Sequence, residues 1–539
     1  MTEWNYADAW ESIATIQPDQ PAIIQGERTI SWGQFEARSA GVAGWLSSLG
    51  AVHQDKVALY LYNCPEYMEG VFASLRIGLV PVNTNYRYGD EELLYLWDNA
   101  DAIAVVFHGS FTERIEGIRS QADKVKGWLF VDDGSGACPD WATPYEQVAA
   151  EPAGDLPLAA QRTPDDLVML YTGGTTGMPK GVMWRQDDLF ARLNPAGFRR
   201  FDETAGVAGI ADAVRNEGPG LALLPACPLM HGTGLFTALE VLAEGGRLVL
   251  LPTRKFLPDE LAATIDDKGV NVAVIVGDPF ARPLLDVVRA DPERYTLSSL
   301  VIIMSSGAMW SEEIKQGLLA HHGNMMLVDA FSSSEALGMG SSISTADKAA
   351  STGEFTLGPE VRVIDEDGVD VTPGSDTVGV LALGGRNPLG YYKDAAKSDA
   401  TFRMIDGARY SVPGDHARVR VDGSIQLLGR GSQCINTAGE KVYPEEVEEV
   451  LKRHPLVVDA CVVGIPDDRT GERIIAAVET MPGADLPSEA EIIEHVKAAL
   501  SHYKAPKGVR FVVTIGRAAN GKMEYSRHKA EAIAWVAGS

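Results

Sequence analysis

Residues 171–184, Tyr-Thr-Gly-Gly-Thr-Thr-Gly-Met-Pro-Lys-Gly-Val-Met-Trp, follow the apolar run Leu167-Val168-Met169-Leu170. A buried strand is therefore expected to empty into a loop suited to phosphate. Gly173, Gly174 and Gly177 let backbone N–H groups approach a polyphosphate without Cβ obstruction, Thr172, Thr175 and Thr176 add hydroxyl donors, and Lys180 adds a cation. The Walker loop is excluded, because it needs Gly-Lys-Ser/Thr after four intervening residues, whereas Pro179 precedes Lys180 and Gly181 follows it. A kinase or motor ATPase is disfavoured. Glycine and threonine also favour a plain surface turn, and for this stretch alone that reading stays open.

The rest of the chain limits what such a loop can serve. With 539 residues it should contain several lobes, each large enough to bury a core. Its 74 acidic against 47 basic residues leave a formal charge of -27, which repels a nucleic-acid backbone or an anionic bilayer, and no basic patch compensates. Phosphates must then be met by local donors. The five cysteines, Cys64, Cys138, Cys227, Cys434 and Cys461, have no CxxC spacing, so neither a disulfide framework nor a zinc site is expected. The N-terminus lacks a basic region followed by an apolar stretch, and no run approaches the length of a membrane-spanning helix, so a cytoplasmic protein is expected. No heptad or isolated apolar stripe declares an interface, which leaves homo-oligomerisation open.

From about residue 20 to 430, apolar runs such as 56–61, 102–107 and 246–251 alternate with helical patterns. Such alternation predicts an α/β fold with mixed or parallel sheets, in a large N-terminal domain of several subdomains. Residues 133–163 read as a Gly/Ala/Pro-rich connection and 204–220 as a loop with one short helix. The composition changes after Gly429-Arg430-Gly431-Ser432, and a small α+β domain is expected beyond it. There Pro444 can open a helix whose buried stripe is Val447, Val450 and Leu451. Ser488 and Glu491 have capping-box spacing ahead of Ile492, Val496, Ala499 and Leu500, and 457–465 and 474–478 read as strands.

Three further stretches carry chemistry. Phe331-Ser332-Ser333-Ser334-Glu335 follows an apolar run, and a carboxylate at a strand end suits Mg²⁺, which takes one or two protein carboxylates plus phosphate oxygens; Glu335 could equally be a solvated turn residue. Pro413-Gly414-Asp415 offers a carboxylate to ribose hydroxyls, or is an ordinary Pro-Gly turn. Asn520-Gly521-Lys522 carries a strong hairpin signal, so Lys522 either decorates a hairpin or is presented by one.

In this order and spacing, the four stretches resemble the acyl-adenylate-forming superfamily, which comprises acyl-CoA synthetases, adenylation domains and luciferases. The resemblance covers nearly the whole chain. Supporting pieces are Asn83-Thr84-Asn85-Tyr86-Arg87, Pro228-Leu229-Met230-His231-Gly232, Ser306-Gly307-Ala308-Met309, Gly390-Tyr391-Tyr392, Gly439-Glu440-Lys441-Val442-Tyr443-Pro444 and Tyr503-Lys504-Ala505-Pro506. It implies that the 172–180 loop holds the β- and γ-phosphates of ATP and that Glu335 binds Mg²⁺. Gly307, Ala308, Met309, Phe331, Ser332 and Ser334 would border the nucleotide, and Asp415 and Arg430 would hold its ribose. His231 would line the acyl-carboxylate site, and Lys522 would bridge carboxylate and α-phosphate. The implied domains are 1–429 and a mobile 434–539, rotating about a hinge at 430–433 that includes Ser432. That rotation would bring Ala438, Gly439 and Glu440 to a coenzyme A tunnel.

The implied activity is an AMP-forming acid–thiol ligase that makes acyl-CoA from a carboxylic acid, ATP and coenzyme A. Gly173 stands where serine is usual, Ser332 and Ser334 where glycine and threonine are usual, and Ser432-Gln433 where the hinge usually carries acidic or lysine residues. The finer pattern is similar to bacterial fatty-acid and steroid side-chain CoA ligases. Ser332 also stands where acetate-activating relatives carry a pocket-closing tryptophan, so a medium or long chain or a ring-bearing acid is expected. Two alternatives are an adenylating enzyme loading a carrier protein, which would act in trans because residues 523–539 are too few for a fused carrier, and a nucleotide-binding relative without catalysis.

Overall fold

The computed structural model describes residues 4–538 except 153, 155, 174–177, 349–351, 438–439, 468, 484 and 519–520. Packing divides the chain into two units, one formed by Met1–Thr352 with Gly384–Ser411 and the other by Gly353–Leu383 with Val412–Ser539. These limits differ from the expected 1–429 and 434–539: residues 353–383 and 412–429 pack with the C-terminal region.

The first unit is built on two sheets. In one, Pro21–Gln25, Arg247–Leu250, Ala222–Pro225, Val272–Ile275, Ile302–Ser306 and Met326–Ser333 run parallel in that spatial order, with Arg28–Ser31 and Ala336–Ser344 antiparallel at the two ends. In the other, the parallel strands Thr143–Pro144, Gly127–Val131, Ala102–His108, Lys56–Tyr60, Val80–Asn83 and Leu167–Thr172 are followed by antiparallel Lys180–Arg185 and Gly390–Tyr391. Strand periodicity assigns the faces of this second sheet. Val57 and Leu59 join a core that also holds Leu223 and Leu248, while Ala58 and Tyr60 join a separate core with Trp97 and Phe107. Burial on both faces is why these strands read as continuous apolar runs.

The second unit contains an antiparallel sheet in the order Val361–Ile364, Val378–Leu383, Asp415–Val419, Ile425–Arg430, Glu354–Leu357. It also contains a C-terminal sheet centred on the long pair Val457–Asp467 and Gly471–Thr480. Ala460 and Val462 face the helices Pro444–Lys452 and Glu489–Ala499, whereas Cys461 and Val463 face Tyr525–Gly538. Pro444 opens its helix and the Ser488–Glu491 capping box forms, as their spacing predicts. Two readings need correction. The helix expected to be short within 204–220 spans Gly206–Glu217, and the 133–163 connection holds the helix Tyr145–Ala149. Tyr145 donates its O–H to buried Glu69 at 2.8 Å, and Arg38 Nε pairs with the same carboxylate at 2.7 Å, so this connection is tied to the core by a satisfied charge.

A small, mainly apolar cavity in the first unit is lined by Phe190, Leu193 and Phe201 together with Tyr6, Glu240 and Glu244. Tyr6 Oη, Glu240 Oε1 and Glu244 Oε1 face it with no hydrogen-bond partner among the described residues. Burial, and then the neighbouring Glu244, raise the Glu240 carboxyl well above the usual glutamate range, and burial pushes Glu244 up to about 7. The folded protein thus keeps these protons to higher pH than the unfolded chain does. The sign follows: stability is greatest below the ordinary glutamate range and falls as pH rises above it. Glu240→Gln, which keeps shape and removes ionisation, is expected to flatten this decline between pH 5 and 8, raising Tm at pH 8 by about 1 °C per kcal/mol relieved in a unit of this size. Thermal unfolding across that range measures it, and an unchanged slope would show that Glu240 ionises in the folded protein as readily as in the unfolded chain.

Candidate active site

The phosphate stretch does not lead into a helix. Leu167–Thr172 and Lys180–Arg185 form an antiparallel pair with Thr172 opposite Lys180, which brings the two ends of the phosphate stretch side by side. Thr172 and Lys180 are half-buried and Gly173 is exposed; Gly174, Thr175, Thr176 and Gly177 lie outside the described residues. Lys180 Nζ pairs with Asp394 Oδ2 at 2.5 Å.

The end of the first strand is held by a buried amide. Asn83 Oδ1 accepts from the N–H of Tyr171 at 2.6 Å, and its Nδ2 donates to the carbonyls of Tyr171 at 2.9 Å and Met230 at 2.7 Å. One side chain therefore joins the phosphate strand to the segment that ends in His231. His231 itself is the N-cap residue of the buried helix Gly232–Ala243, its backbone extended and its ring half-buried. Gly234 is required here, since a Cβ would stand 2.6 Å from the carbonyl of Pro228.

Glu335 and Ser334 form the turn between Met326–Ser333 and Ala336–Ser344, where Phe331 is opposite Gly340. The Glu335 side chain is nearly buried, and its Oε1 accepts from Tyr391 Oη at 2.8 Å. Its backbone carbonyl accepts from Ser411 Oγ at 2.7 Å, and the neighbouring Ser334 carbonyl accepts from Trp184 Nε1 at 2.9 Å. Trp184 lies on the strand that begins with Lys180, so the acidic turn and the phosphate strand pair are fastened together. Ser332 Oγ accepts from the N–H of Gly338 at 2.9 Å.

Gly307, Ala308 and Met309 continue from Ile302–Ser306, which pairs in parallel with Met326–Ser333, Ser306 opposite Ala330. That register sets Gly307, at φ +95°, beside Phe331. The loop is seated from below by Gly277, whose added Cβ would collide with the carbonyls of Met309 and Ala308; Asp278 N–H donates to Met309 O at 3.0 Å.

The remaining expected residues belong to the second unit. Asp415 is opposite Arg430, with Arg430 Nε 3.3 Å from Asp415 Oδ1. Ser432 is within the 3₁₀ turn Gly431–Gln433, and Glu440 opens the exposed strand Glu440–Val442; Ala438 and Gly439 lie outside the described residues. Lys522 is exposed on a turn in which Ala518 N–H donates to the Lys522 carbonyl at 3.0 Å. The turn leads into the helix Tyr525–Gly538, not into the second strand of a hairpin. Arg517 braces it, donating to Gly521 O at 3.2 Å while its Nε and Nη2 pair with Asp459 at 2.6 and 2.8 Å.

The first unit therefore joins the Thr172–Lys180 strand pair to the Glu335 turn through Trp184 and Tyr391, and to the segment ending in His231 through Asn83. Comparison with known proteins agrees. Residues 10–392 match the AMP-binding enzyme family and residues 446–522 the AMP-binding enzyme C-terminal domain. A 3-oxocholest-4-en-26-oate–CoA ligase of Rhodococcus rhodochrous is 38% identical over 97% of this chain and 94% of its own. A medium/long-chain-fatty-acid–CoA/3-oxocholest-4-en-26-oate–CoA ligase of Mycobacterium tuberculosis is also 38% identical, over 97% of this chain and 95% of its own. The crystal structure of the anthranilate CoA ligase AuaEII with anthranoyl-AMP shares the fold, with a TM-score of 0.83 at 21% identity, covering 100% of this chain and 98% of that one. The chain belongs to the AMP-binding enzyme family. Within that family it is an AMP-forming acid–CoA ligase, an acyl-CoA synthetase.

Asn83 and Trp184 lie within quoted stretches, yet neither they nor Gly277 and Ser411 carried an expected role; their part in organising this site is visible only from the contacts. Asn83→Ala leaves the N–H of Tyr171 and the carbonyl of Met230 without this partner in a buried setting, which costs roughly 1–3 kcal/mol for each group. A lower Tm together with at least a tenfold loss of pyrophosphate exchange is expected. An unchanged exchange rate in a folded variant would show that the clasp is not needed to align the loop with His231.

Proposed function

We propose that this synthetase activates hydrophobic carboxylic acids, namely medium or long aliphatic chains and ring-bearing side-chain acids, through an acyl-adenylate formed from Mg·ATP. The observation that carries the chemistry is the fastening of Glu335 to the Thr172–Lys180 strand pair through Trp184 and Tyr391. A lone carboxylate suits a Mg²⁺ that arrives on ATP and keeps phosphate oxygens and water as its other ligands, and among the described residues no group of three His, Cys, Asp or Glu forms a cage for a resident metal. Bound there, the ion would neutralise developing phosphate charge.

The roles of the chain's own residues follow from charge and position. The N–H groups and hydroxyls of the 172–180 loop and the Lys180 ammonium hold the β- and γ-phosphates, Gly307, Ala308, Met309 and Phe331 border adenine, and Asp415 and Arg430 take the ribose. The substrate carboxylate, beside His231, attacks the α-phosphorus and pyrophosphate leaves. Lys522 bridges carboxylate and α-phosphate in that step. The coenzyme A thiolate then attacks the acyl carbonyl and AMP leaves. No protein nucleophile is needed, and alignment and fixed charge supply the catalysis. Rotation about 430–433 between the steps would exchange Lys522 for the segment holding Ala438, Gly439 and Glu440, through which the pantetheine arm passes. Free thiols at all five cysteines fit a reducing cytoplasm, and no helix among the described residues is long and apolar enough to cross a membrane.

The preference for large acids rests on Ser332, which stands where a bulky side chain would close the pocket, and not on glycines nearby: Gly338 is exposed, and a Cβ at Gly234 or Gly277 would collide with backbone carbonyls. A Cβ at Gly338 would meet nothing within 4 Å, and Ser332 is turned toward the Gly338 amide. The relatives named above are ligases of acids of the same kind. In an AMP-formation assay with coenzyme A, each CH₂ buried is expected to contribute about 0.8 kcal/mol, about a fourfold rise in kcat/KM, until the pocket is full. Highest efficiency with acetate would refute the reading, and activity on fatty acids but on no sterol acid would remove its ring-bearing part.

Lys522→Ala is expected to reduce adenylation by about 10² to 10³ while sparing thioester formation from supplied acyl-AMP. Equal damage to both half-reactions would make the lysine structural.

A further inference from the structure

Tyr391 and Asp394, three residues apart, reach both ends of the phosphate machinery. The strand Gly390–Tyr391 pairs with Lys180–Arg185, Tyr391 opposite Val182, so the segment is built onto the strand that starts at Lys180. Tyr391 is buried, packs on Phe402 at a ring-centroid distance of 5.9 Å, and donates its O–H to Glu335 at 2.8 Å. Asp394 divides its carboxylate: Oδ1 caps the helix Ala395–Thr401 by accepting from Lys397 N–H at 3.0 Å, and Oδ2 pairs with Lys180 Nζ at 2.5 Å. Ser398 Oγ stiffens the turn, accepting from Tyr391 N–H at 2.8 Å and donating to Asp394 O at 2.7 Å. Gly390 has φ +151°, and a Cβ there would lie 2.8 Å from Ser398 Oγ.

We propose that 390–394 is the positioning element of the phosphate site: Tyr391 holds Glu335 in the orientation in which it receives Mg²⁺, and Asp394 holds the place on Lys180 that a nucleotide phosphate takes over. This rests on the reading that Glu335 and Lys180 meet Mg·ATP. The chemistry is one of exchange. A carboxylate on Lys180 keeps the ammonium paired but repels the incoming phosphate, so binding swaps one anion for another on the same cation. Lys180 in turn holds the Asp394 carboxyl below the usual carboxylate range. Because the cap uses the other oxygen, the exchange leaves the helix intact.

The test uses the full-length protein and a non-hydrolysable ATP analogue titrated by fluorescence, with pyrophosphate exchange measured in parallel. Tyr391→Phe keeps the ring and removes the hydroxyl. The Mg²⁺ concentration for half-maximal analogue binding should rise about tenfold, as expected for loss of a hydrogen bond to a charged group, while kcat at saturating Mg²⁺ falls far less. An unmoved Mg²⁺ dependence overturns the proposal, as does a uniform loss of kcat with a lowered Tm, the mark of a merely structural tyrosine. Asp394→Asn preserves the capping oxygen and removes the charge, so the analogue should bind about two- to fivefold more tightly. Unchanged or weaker binding overturns the placeholder role. Glu335→Ala separates the two levels. If it too leaves the Mg²⁺ dependence unmoved, the underlying reading of Glu335 falls; if it alone moves the dependence, only the positioning by Tyr391 falls.

Discussion

The antiparallel pairing of Thr172 with Lys180 is the constraint on which the rest of the site depends. A Gly/Thr loop has many conformations of its own, and holding it costs backbone entropy of roughly 1–2 kcal/mol per residue. The strand pair removes the freedom of its ends. Everything else described around the loop attaches to that pair: Asn83 to Tyr171, Trp184 to the Ser334 carbonyl, and Tyr391 through the Gly390–Tyr391 strand.

Electrostatics works locally in this molecule. At a formal charge of -27 the protein as a whole repels a nucleotide, and attraction must come from few cations placed where water is partly excluded. Lys180, the cation proposed to meet phosphate, is kept paired by its carboxylate neighbour Asp394. Asp415 and Arg430 show the same arrangement across two adjacent strands, a pair facing itself in register. Each basic residue considered for nucleotide contact in the strand-paired regions thus carries an acidic neighbour, which limits promiscuous anion binding at the expense of some affinity.

The sequence carried the architecture well where periodicity was strong. Runs at 56–61 and 102–107 became the central parallel strands because both of their faces are buried, and the capping box at Ser488 marked its helix because the two reciprocal hydrogen bonds are local. The phosphate stretch was legible from composition, but its return as a strand was not. What decides that return is pairing with Leu167–Thr172 and Gly390–Tyr391, the second of these more than two hundred residues away. The link between Tyr391 and Glu335 was hidden for the same reason: nothing in a spacing of 56 residues encodes a 2.8 Å contact. At Lys522 the turn was readable and its continuation was not, because Tyr525–Gly538 buries His528 and Ala532 against the sheet as a helix, overriding the local hairpin preference. Asn83 is an opaque case of another kind, since a single amide looks alike whether it faces water or ties two segments of the core.

The bracing of the Lys522 turn bears on how catalytic groups can be shared between bodies. Arg517 ties the turn to Asp459, a residue of the long strand Val457–Asp467, so the lysine's backbone is fixed in the frame of its own sheet. Its whereabouts then reduce to the six rigid-body coordinates of that sheet plus the torsions of one side chain. A lysine on a slack tail would search a volume; a lysine on a rigid mount is either delivered or absent. On the role proposed for Lys522, such mounting would convert a graded encounter into a binary one.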